Sequence, residues 1–554
     1  MRAVKLPAAF KAMLLKPDRI GLRRSMLLAI VFFSIVFAIS LNRYWTFYTS
    51  YDHGLFNQLF WNNLHGHWFQ SSLTSANSVA AIEDNSVPTV SFLHLGQHVV
   101  LAFLLWLPLY ALFPHPITLI VLQVGLMTVA GLVLYALARH RLSQQLSVWI
   151  VGSYYSAIAV IAPTLANFYE HCQIPLFTFG ILLALEKQRW KWFWLCVVLA
   201  LLVREDVGII LFGIGVYLMI SRRHPGLGVA VCVFSFAYVA IVTSVIMPQI
   251  SMDNPRLYLA NRFEQFVDSK SPSTLQVLWG MITHPIALAK SLLTPFDRRL
   301  NYLLGQWLSL ALVPAVSGAA WTIAGFPLLS LFAQSGQTAL SIQIRYAIAV
   351  VPGVFYGAIL WWSQHQSRFT LRFRSFWQVC IVLSICFAIS GNPNRSFSFM
   401  IPDSVRPWVF VPLTRQWEHA NHIRNVISNV PANASVSTTT YLVPQLSTRR
   451  TIVRLPQIEI YNDANEKITI EYAVADLWQM KEYSRAFKDS IASLHQTVPF
   501  LEKLVNENKF GVLQVEDGVV LLRKDQPSNP EAIVAWKQLL PTLKAEIQPI
   551  DSDT

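Results

Sequence analysis

Long apolar runs, recurring from residue 25 to residue 391, constrain this chain more than any other feature. A helix that crosses the hydrocarbon of a bilayer needs about 20 apolar residues, with a range of roughly 17–25. Runs near that length lie at 25–42, 97–113, 116–137, 146–164, 173–186, 192–203, 206–221, 226–247, 303–317, 318–334, 341–362 and 376–391. Only 13% of the residues are charged, against about 25% in an ordinary soluble protein. The chain therefore reads as a polytopic α-helical membrane protein. Its five cysteines show no pairing pattern, and four of them sit inside apolar runs, where they act as small hydrophobes.

Net charge is +13, and much of the basic excess falls in short clusters beside the apolar runs. Such clusters report orientation, because basic loops stay in the cytoplasm. No basic helix or aromatic stacking module accompanies them, so a nucleic-acid partner is not indicated. Lys5, Lys11, Lys16, Arg19, Arg23 and Arg24 precede "SMLLAIVFFSIVFAISL", after which no small-residue cleavage site follows. This predicts a retained first helix and a cytoplasmic N-terminus. If 97–113 also spanned, "ARHRLSQQ" at 138–145 would lie outside and every later basic loop would be inverted. That segment, "VVLAFLLWLPLYALFPH", is short and interrupted by proline. Laid along the outer surface, or dipping in and returning, it leaves eleven spans. Arg139 and Arg141, then Lys187, Arg189 and Lys191, then Arg222 and Arg223, then Arg368, Arg372 and Arg374 all become cytoplasmic.

The expected organisation is a transmembrane domain over 1–391, with a first extracytoplasmic loop at 43–115, and an extracytoplasmic soluble α/β domain over 392–554. In the latter, "GVLQVEDGVVLLRK" predicts a hairpin turning at Asp517-Gly518. "TVPFLEKLVNENKF" and "EAIVAWKQLLPTLKAEI" have helical spacing. The orientation also puts Asp52, Glu83, Asp84, Glu170, Glu205, Asp206 and Asp253 on the outer side, with His94, His98, His171 and Arg345. ATP and nucleotide sugars are absent there.

Five polar groupings stand out against the apolar background. "YDHGLFNQLFWNNLHGH" places Asp52-His53 ahead of Asn57 and Gln58; Asp52 reads either as a carboxylate base or as a helix N-cap. "FLHLGQH" spaces His94 and His98 by four, which puts both rings on one face of a helix, for a metal, for a phosphate or as a structural pair. No HExxH glutamate accompanies them. "NFYEHCQIP" holds Glu170 and His171 between two apolar runs. "LLVREDVGIILF" sets Arg204, Glu205 and Asp206 between short apolar flanks; it is a tight exposed hairpin or a charged site facing a protein interior. "SIQIRYAIAVVP" carries Arg345 and Tyr346 one turn into an apolar helix, where the arginine suits an anionic headgroup or snorkels to the interface. Together on one membrane face, these groups suit transfer from a lipid-linked phosphate. Cationic and hydrogen-bond donors hold the leaving phosphate, and a carboxylate takes the incoming hydroxyl's proton.

"YDHGLFNQLFWNNLHGHWFQSSL", "HLGQHVVLAFLLWLPLYALFPHPITLIVLQ", "LLVREDVGIILFGIGVYL" and "NVPANASVSTTTYLVPQLSTRR" resemble a bacterial membrane family catalogued as domain of unknown function 2079, over about residues 45 to 525. The layout further resembles GT-C membrane glycosyltransferases, which carry an acidic residue in the first extracytoplasmic loop and use polyprenyl-phosphate or polyprenyl-diphosphate sugar donors. Asp52 matches the position of that acid. The Asp-X-Asp or Asp-Glu pair that would hold a divalent metal is not present, since Asp52 is followed by His53.

The resemblance implies a multi-pass protein of the bacterial inner membrane that transfers a sugar from a polyprenyl-phosphate donor to an acceptor outside the cytoplasm. Asp52 is the expected catalytic carboxylate. His94, His98 and Arg345 are expected on the donor phosphate. Glu170, Glu205 and Asp206 are expected on sugar or acceptor hydroxyls or pairing Arg204. His53, Gln58, His171 and Tyr346 complete the expected substrate contacts. The rival is a transporter or flippase of a lipid-linked or anionic substrate. It predicts a broken helix carrying the substrate groups, with repeated halves; "REDVG" fits the first requirement, and no second copy occurs. A third reading is a non-catalytic assembly or sensor protein whose outer domain binds a partner.

Overall fold

The computed structural model of the chain describes residues 19–251, 260–267, 269, 272–336 and 338–547. Lys5, Lys11, Lys16 and Asp253 lie outside the described residues. Of the eleven spans that the apolar runs predict, five helices meet the length and apolarity of a crossing among the described residues. Among the described residues, Arg19–Trp45, Pro116–Arg139, Pro225–Ile250, Arg345–Gln364 and Leu371–Ser390 are each long and apolar enough to cross a membrane. Gln144–Ser156 and Ile158–Leu165 make a sixth if their 43° bend falls inside one span. The bend has a local cause: Ala157 leaves the helical region at φ −70°, ψ 133°. Trp190–Leu201, Val207–Ile220 and Gly318–Phe332 are apolar but shorter. Phe103–Leu112 has ten residues and an internal Pro108. At about 1.5 Å per residue it reaches about 15 Å, half the hydrocarbon thickness of about 30 Å, so it cannot cross alone.

The chain divides into two compact units. The first takes the stretch up to Ala38, Leu95–Trp106 and Ile120–Pro393. Its helices meet through small residues, as membrane helices do, since close backbone approach replaces the hydrophobic drive that lipid cannot supply. A Cβ on Gly215 would come within 2.8 Å of the Gly228 carbonyl, and one on Gly357 within 2.4 Å of Ala320. Trp190 packs on His224, Trp194 on Phe234, and the Tyr238 hydroxyl donates to the Leu201 carbonyl. Gly208 meets Ser235 and Val239. Trp190–Leu201 and Val207–Ile220 thus run in opposite directions along Pro225–Ile241, and 202–206 is the turn of an antiparallel hairpin.

The second unit takes Ile39–His94, Leu107–Leu119 and the chain from Asn394 onward. Its described residues contain nine short strands: β1 (Ser404–Val405), β2 (Trp408–Val409), β3 (Val436–Thr438), β4 (Ile452–Arg454), β5 (Glu459–Tyr461), β6 (Lys467–Thr469), β7 (Tyr472–Asp476), β8 (Phe510–Glu516) and β9 (Val519–Lys524). Five of them form a mixed sheet in the order β4-β3-β7-β9-β8. β3 runs parallel to β4 and to β7, and β9 is antiparallel to β7 and β8. β3 and β7 are buried along their whole length, as parallel strands covered on both faces are. The β8–β9 turn is at Asp517 and Gly518, with φ of 48° and 77°. Positive φ at both central residues matches the twist of a two-residue hairpin. Lys488–Asn506 and Pro530–Ile547 supply Leu494, Val498, Leu501 and Trp536 to a core shared with Val512 and Leu522.

One ion cluster locks Leu413–Ile427 to this sheet. His419, 3% exposed, lies 3.1 Å from Asp476 and 2.7 Å from Asp517, and rests on the Trp478 ring. Burial, the largest influence, works to lower its pKa, but Asp476 and Asp517 overcome it and raise it to about 9. A folded pKa above the unfolded value of 6.5 means the contribution is complete below pH 6.5 and is lost as pH rises towards 9. Asp517 is the opposite case: burial works to raise it, His419 and Arg415 lower it to about 2, and its contribution fades only as pH falls below 3.8. Amide exchange in 413–427, corrected for intrinsic base catalysis, should therefore accelerate between pH 6.5 and 9. A corrected rate that stays level over that interval would show that the cluster does not lock the helix.

Candidate functional site

In the first unit, segments far apart in sequence deliver their charged residues to one network. The 3-10 turn Glu170–Gln173 precedes the helix Ile174–Glu186 and presents Glu170 and His171. The hairpin turn presents Arg204, Glu205 and Asp206, and the chain at His98 and Val99 lies against it. Arg204 Nη1 donates to Glu170 Oε1 at 3.0 Å; its Nε is 3.4 Å from both Glu205 Oε1 and Asp206 Oδ2. Glu205 is held from its other side by His98 Nδ1 at 2.9 Å and by the Val99 amide at 2.9 Å. His171 Nδ1 lies 3.3 Å from Glu170 Oε1, and its ring meets the edge of Tyr346. Arg345 places its guanidinium 4.3 Å over the Tyr169 ring and 4.9 Å over Tyr346, and donates to the Tyr346 hydroxyl at 3.2 Å. The run His98–Glu205–Arg204–Glu170–His171–Tyr346–Arg345 is continuous.

The network is graded from inside to outside. The Glu170 and Arg204 side chains are 2% and 4% exposed, whereas His98 is 24% and Asp206 40% exposed. Glu170 and Glu205 are both buried, which is tolerable because each carboxylate meets Arg204 and an imidazole. Glu170 Oε2 has no hydrogen-bond partner among the described residues. Among those residues no group of three or more His, Cys, Asp or Glu is placed to hold a metal ion. With a guanidinium already drawing in the three carboxylates, the residues present do not fit a divalent cation.

The remaining candidates fall in the second unit. The helix Tyr51–Leu64 starts at N-cap Ser50, so Asp52 is in its first turn rather than at the cap; a carboxylate there complements the helix dipole. His53 is 1% exposed with Nε2 at 3.0 Å from the Pro116 carbonyl. A carbonyl only accepts, so Nε2 carries the proton. Burial lowers the His53 pKa to about 4, and the ring is neutral at physiological pH. Gln58 donates to Ser72 and to the carbonyls of Arg449 and Arg450, and accepts from Ser71 and Leu73. Asn57 donates to Ser447 and Thr448 and accepts from Tyr110. Gly54 lies against Val443 and Pro444, where a Cβ would come within 2.6 Å. The first-loop motif and "VPQLSTRR" thus form one seam. His94 and His98 do not share a helical face: His94–Gly96 is a single 3-10 turn, and His98 lies in neither helix nor strand. His94 pairs with Thr74 at 3.0 Å in the second unit, and His98 with Glu205 in the first. Arg345 opens a 3-10 turn, Arg345–Ala349, ahead of Val351–Gln364, rather than lying one turn into a helix.

Sequence reasoning passed over the residues that hold these turns. Gln123 accepts from the Tyr169 amide at 2.9 Å and donates to the Thr164 carbonyl at 2.9 Å. Its signal was the one amide side chain inside the run 116–137. A second buried charge group is centred on Glu186, which binds Arg141 at 2.6 Å, Arg223 at 2.9 Å and the Tyr356 hydroxyl. Glu186 was masked by the basic loop that follows it.

Apolar helices whose ends carry buried ion pairs define an integral membrane protein. The family model for "Predicted membrane protein (DUF2079)" matches residues 43–521. The chain belongs to that family. No curated protein matches it in sequence. Among solved structures it is similar to ArnT from Cupriavidus metallidurans bound to undecaprenyl phosphate, at 10% identity and a TM-score of 0.44, covering 90% of this chain and 97% of that one. It is also similar to the Archaeoglobus fulgidus oligosaccharyltransferase in complex with zinc and sulfate, at 11% identity and a TM-score of 0.38, covering 87% of this chain and 72% of that one.

Two outcomes follow from the geometry. Removing one partner of a buried ion pair costs about 3–5 kcal/mol, so Arg204→Gln should lower the thermal unfolding midpoint in detergent sharply, and Arg204→Lys less; equal midpoints would show that the network is not structural. Overpacking costs about 1–3 kcal/mol, so Gly54→Leu should open the seam and speed tryptic cleavage after Arg449 and Arg450. Unchanged cleavage would show that the seam does not hold that segment.

Proposed function

We propose that this protein is a membrane glycosyltransferase that transfers a sugar from a polyprenyl-phosphate-linked donor to an acceptor hydroxyl on the extracytoplasmic side. In the reaction, the bond between the anomeric carbon and the phosphate oxygen breaks, the acceptor oxygen bonds to that carbon, and the polyprenyl phosphate leaves with the electron pair. Asp52 takes the acceptor's proton. His94, His98 and Arg345 bear on the phosphate, a planar guanidinium being suited to its paired oxygens. Glu170, His171, Glu205, Asp206 and Tyr346 meet sugar or acceptor hydroxyls, with Arg204 setting the carboxylates. His53 and Gln58 fix the helix that carries Asp52. The C-terminal domain helps to select the acceptor.

The observation that carries the reading is the buried, unpartnered Oε2 of Glu170 inside a network that also brings Arg345, Tyr346, His98 and Asp206 together. A buried carboxylate oxygen calls for a donor, and a sugar hydroxyl supplies one. The loop-one position of Asp52 and the membrane location agree with it. A transporter with an interrupted span is less well supported, because Arg204–Asp206 lie in the turn of an antiparallel hairpin.

The test uses the full chain in nanodiscs with polyprenyl-phosphate sugars and radiolabelled sugar transfer as the readout. Loss of a general base typically costs about 10²–10⁴-fold, so Asp52→Asn should lose transfer on that scale while retaining donor binding. Arg345→Gln should weaken donor binding. Transfer by Asp52→Asn at the wild-type rate would remove its assigned role.

A further inference from the structure

The second unit carries an apolar hairpin tip that its own core does not cover. β1 and β2 pair Ser404 with Val409 and Val405 with Trp408. Val405, Arg406, Pro407 and Trp408 are all exposed, Val405 at 67% and Trp408 at 60%. Phe410, Leu413 and Trp417 continue the exposed apolar surface into the helix Leu413–Ile427. Isolated exposed apolar residues are ordinary; a contiguous set marks a surface that something covers.

The base of this hairpin is fixed to the end of the first membrane-spanning helix. Val409 and Val411 pack with Tyr48 and Tyr483, and Tyr48 follows Arg19–Trp45 by three residues. Trp417 donates to Asn42 at 3.1 Å, Arg424 to the Trp45 carbonyl at 2.8 Å, and Arg43 to the Asn394 carbonyl at 2.8 Å. The exposed surface is therefore mounted on the turn where the chain leaves the bilayer. Tryptophan concentrates at that depth, with an apolar body and a polar N–H, and arginine reaches the phosphates above it.

The geometry points to the surface of Val405, Arg406, Trp408, Phe410, Leu413 and Trp417 as a docking site for the bilayer itself. Val405 and Trp408 enter the boundary between headgroups and acyl chains in the leaflet that the first helix leaves, and Arg406 pairs with lipid phosphate. This surface is separate from the glycosyltransferase reading and holds whether or not that reading survives. It tethers the C-terminal domain to the membrane at a point besides the chain's own helices.

Depth measurement tests it. The full chain, with exposed Cys386 replaced by serine and Val405→Cys labelled by a nitroxide, is placed in nanodiscs of phosphatidylcholine and phosphatidylglycerol, with signal from the Cys386→Ser parent subtracted. Lys503→Cys, on an exposed position of Lys488–Asn506, serves as the aqueous reference. Collisions with oxygen should exceed those with a water-soluble nickel complex severalfold at 405, with the order reversed at 503. Adding Trp408→Ser should move the ratio at 405 towards the aqueous one without changing the unfolding midpoint. A ratio at 405 equal to that at 503 would overturn the proposal. Shielding of 405 from both probes would overturn it too, by indicating a protein occupant. An unchanged ratio with Trp408→Ser would overturn the anchoring role of Trp408.

Discussion

Arg204 gathers three carboxylates, two of them too deeply buried to stand alone. Ile174–Glu186 has 13 residues and Val207–Ile220 has 14, so each reaches about 20 Å, well short of a hydrocarbon layer of about 30 Å. Non-helical backbone enclosed among apolar helices survives only where protein satisfies its polar groups. The network does this: Val99 donates to Glu205, Ala102 to the Leu202 carbonyl and Tyr169 to Gln123. The charges and the irregular backbone thus require one another. Without the turns, the ions would have no place to meet; without Glu205, the Val99 amide would lose its acceptor.

The same helices end in the second charge group. Glu186 closes Ile174–Glu186, and Arg223 follows Val207–Ile220, so the Arg204 and Glu186 networks cap opposite ends of one pair of helices. Arg141 and Arg223, which the sequence presents as orientation signals, are also structural ions that pin three loops to Tyr356 of the helix Val351–Gln364. A neutral replacement at Arg223 would weaken the helix ends and the basic bias of the loop together.

What the sequence made legible follows from what periodicity can carry. Apolar runs marked the long helices, and Asp517-Gly518 marked the β8–β9 turn, because length and positive φ are local properties. The Arg204–Asp206 motif was legible as a buried site because three charges between apolar flanks have few other fates. His94 and His98 misled because a spacing of four indicates a shared face only inside a helix. Gly96 interrupts one: it packs so closely on Ser251 that a Cβ would come within 2.5 Å, a long-range contact that no local pattern displays. Gln123 and Glu186 were obscure for the same reason, since their partners lie in other segments.

The first-loop motif shows how a sequence can look chemical for two reasons at once. Asn57 and Gln58 point amides at Ser447, Thr448 and the carbonyls of Arg449 and Arg450, and Gln58 also orders Ser71 to Leu73. Arg454 at the end of β4 lies over the Tyr51 ring, 5.0 Å from its centroid. His53 is neutral and tied to the Pro116 carbonyl. Each residue around Asp52 is therefore engaged in fixing the helix that carries it, and much of that fixing comes from chain beyond residue 430. A carboxylate at the first turn of a free-standing 14-residue helix would wander, since isolated helices of that length are marginal in water. Held by the C-terminal domain along one side and by 107–119 along another, the helix is rigid enough for Asp52 to keep a defined position. The chain from Asn394 onward then has a physical reason to exist before any acceptor is considered: it supports the helix Tyr51–Leu64 within one compact unit.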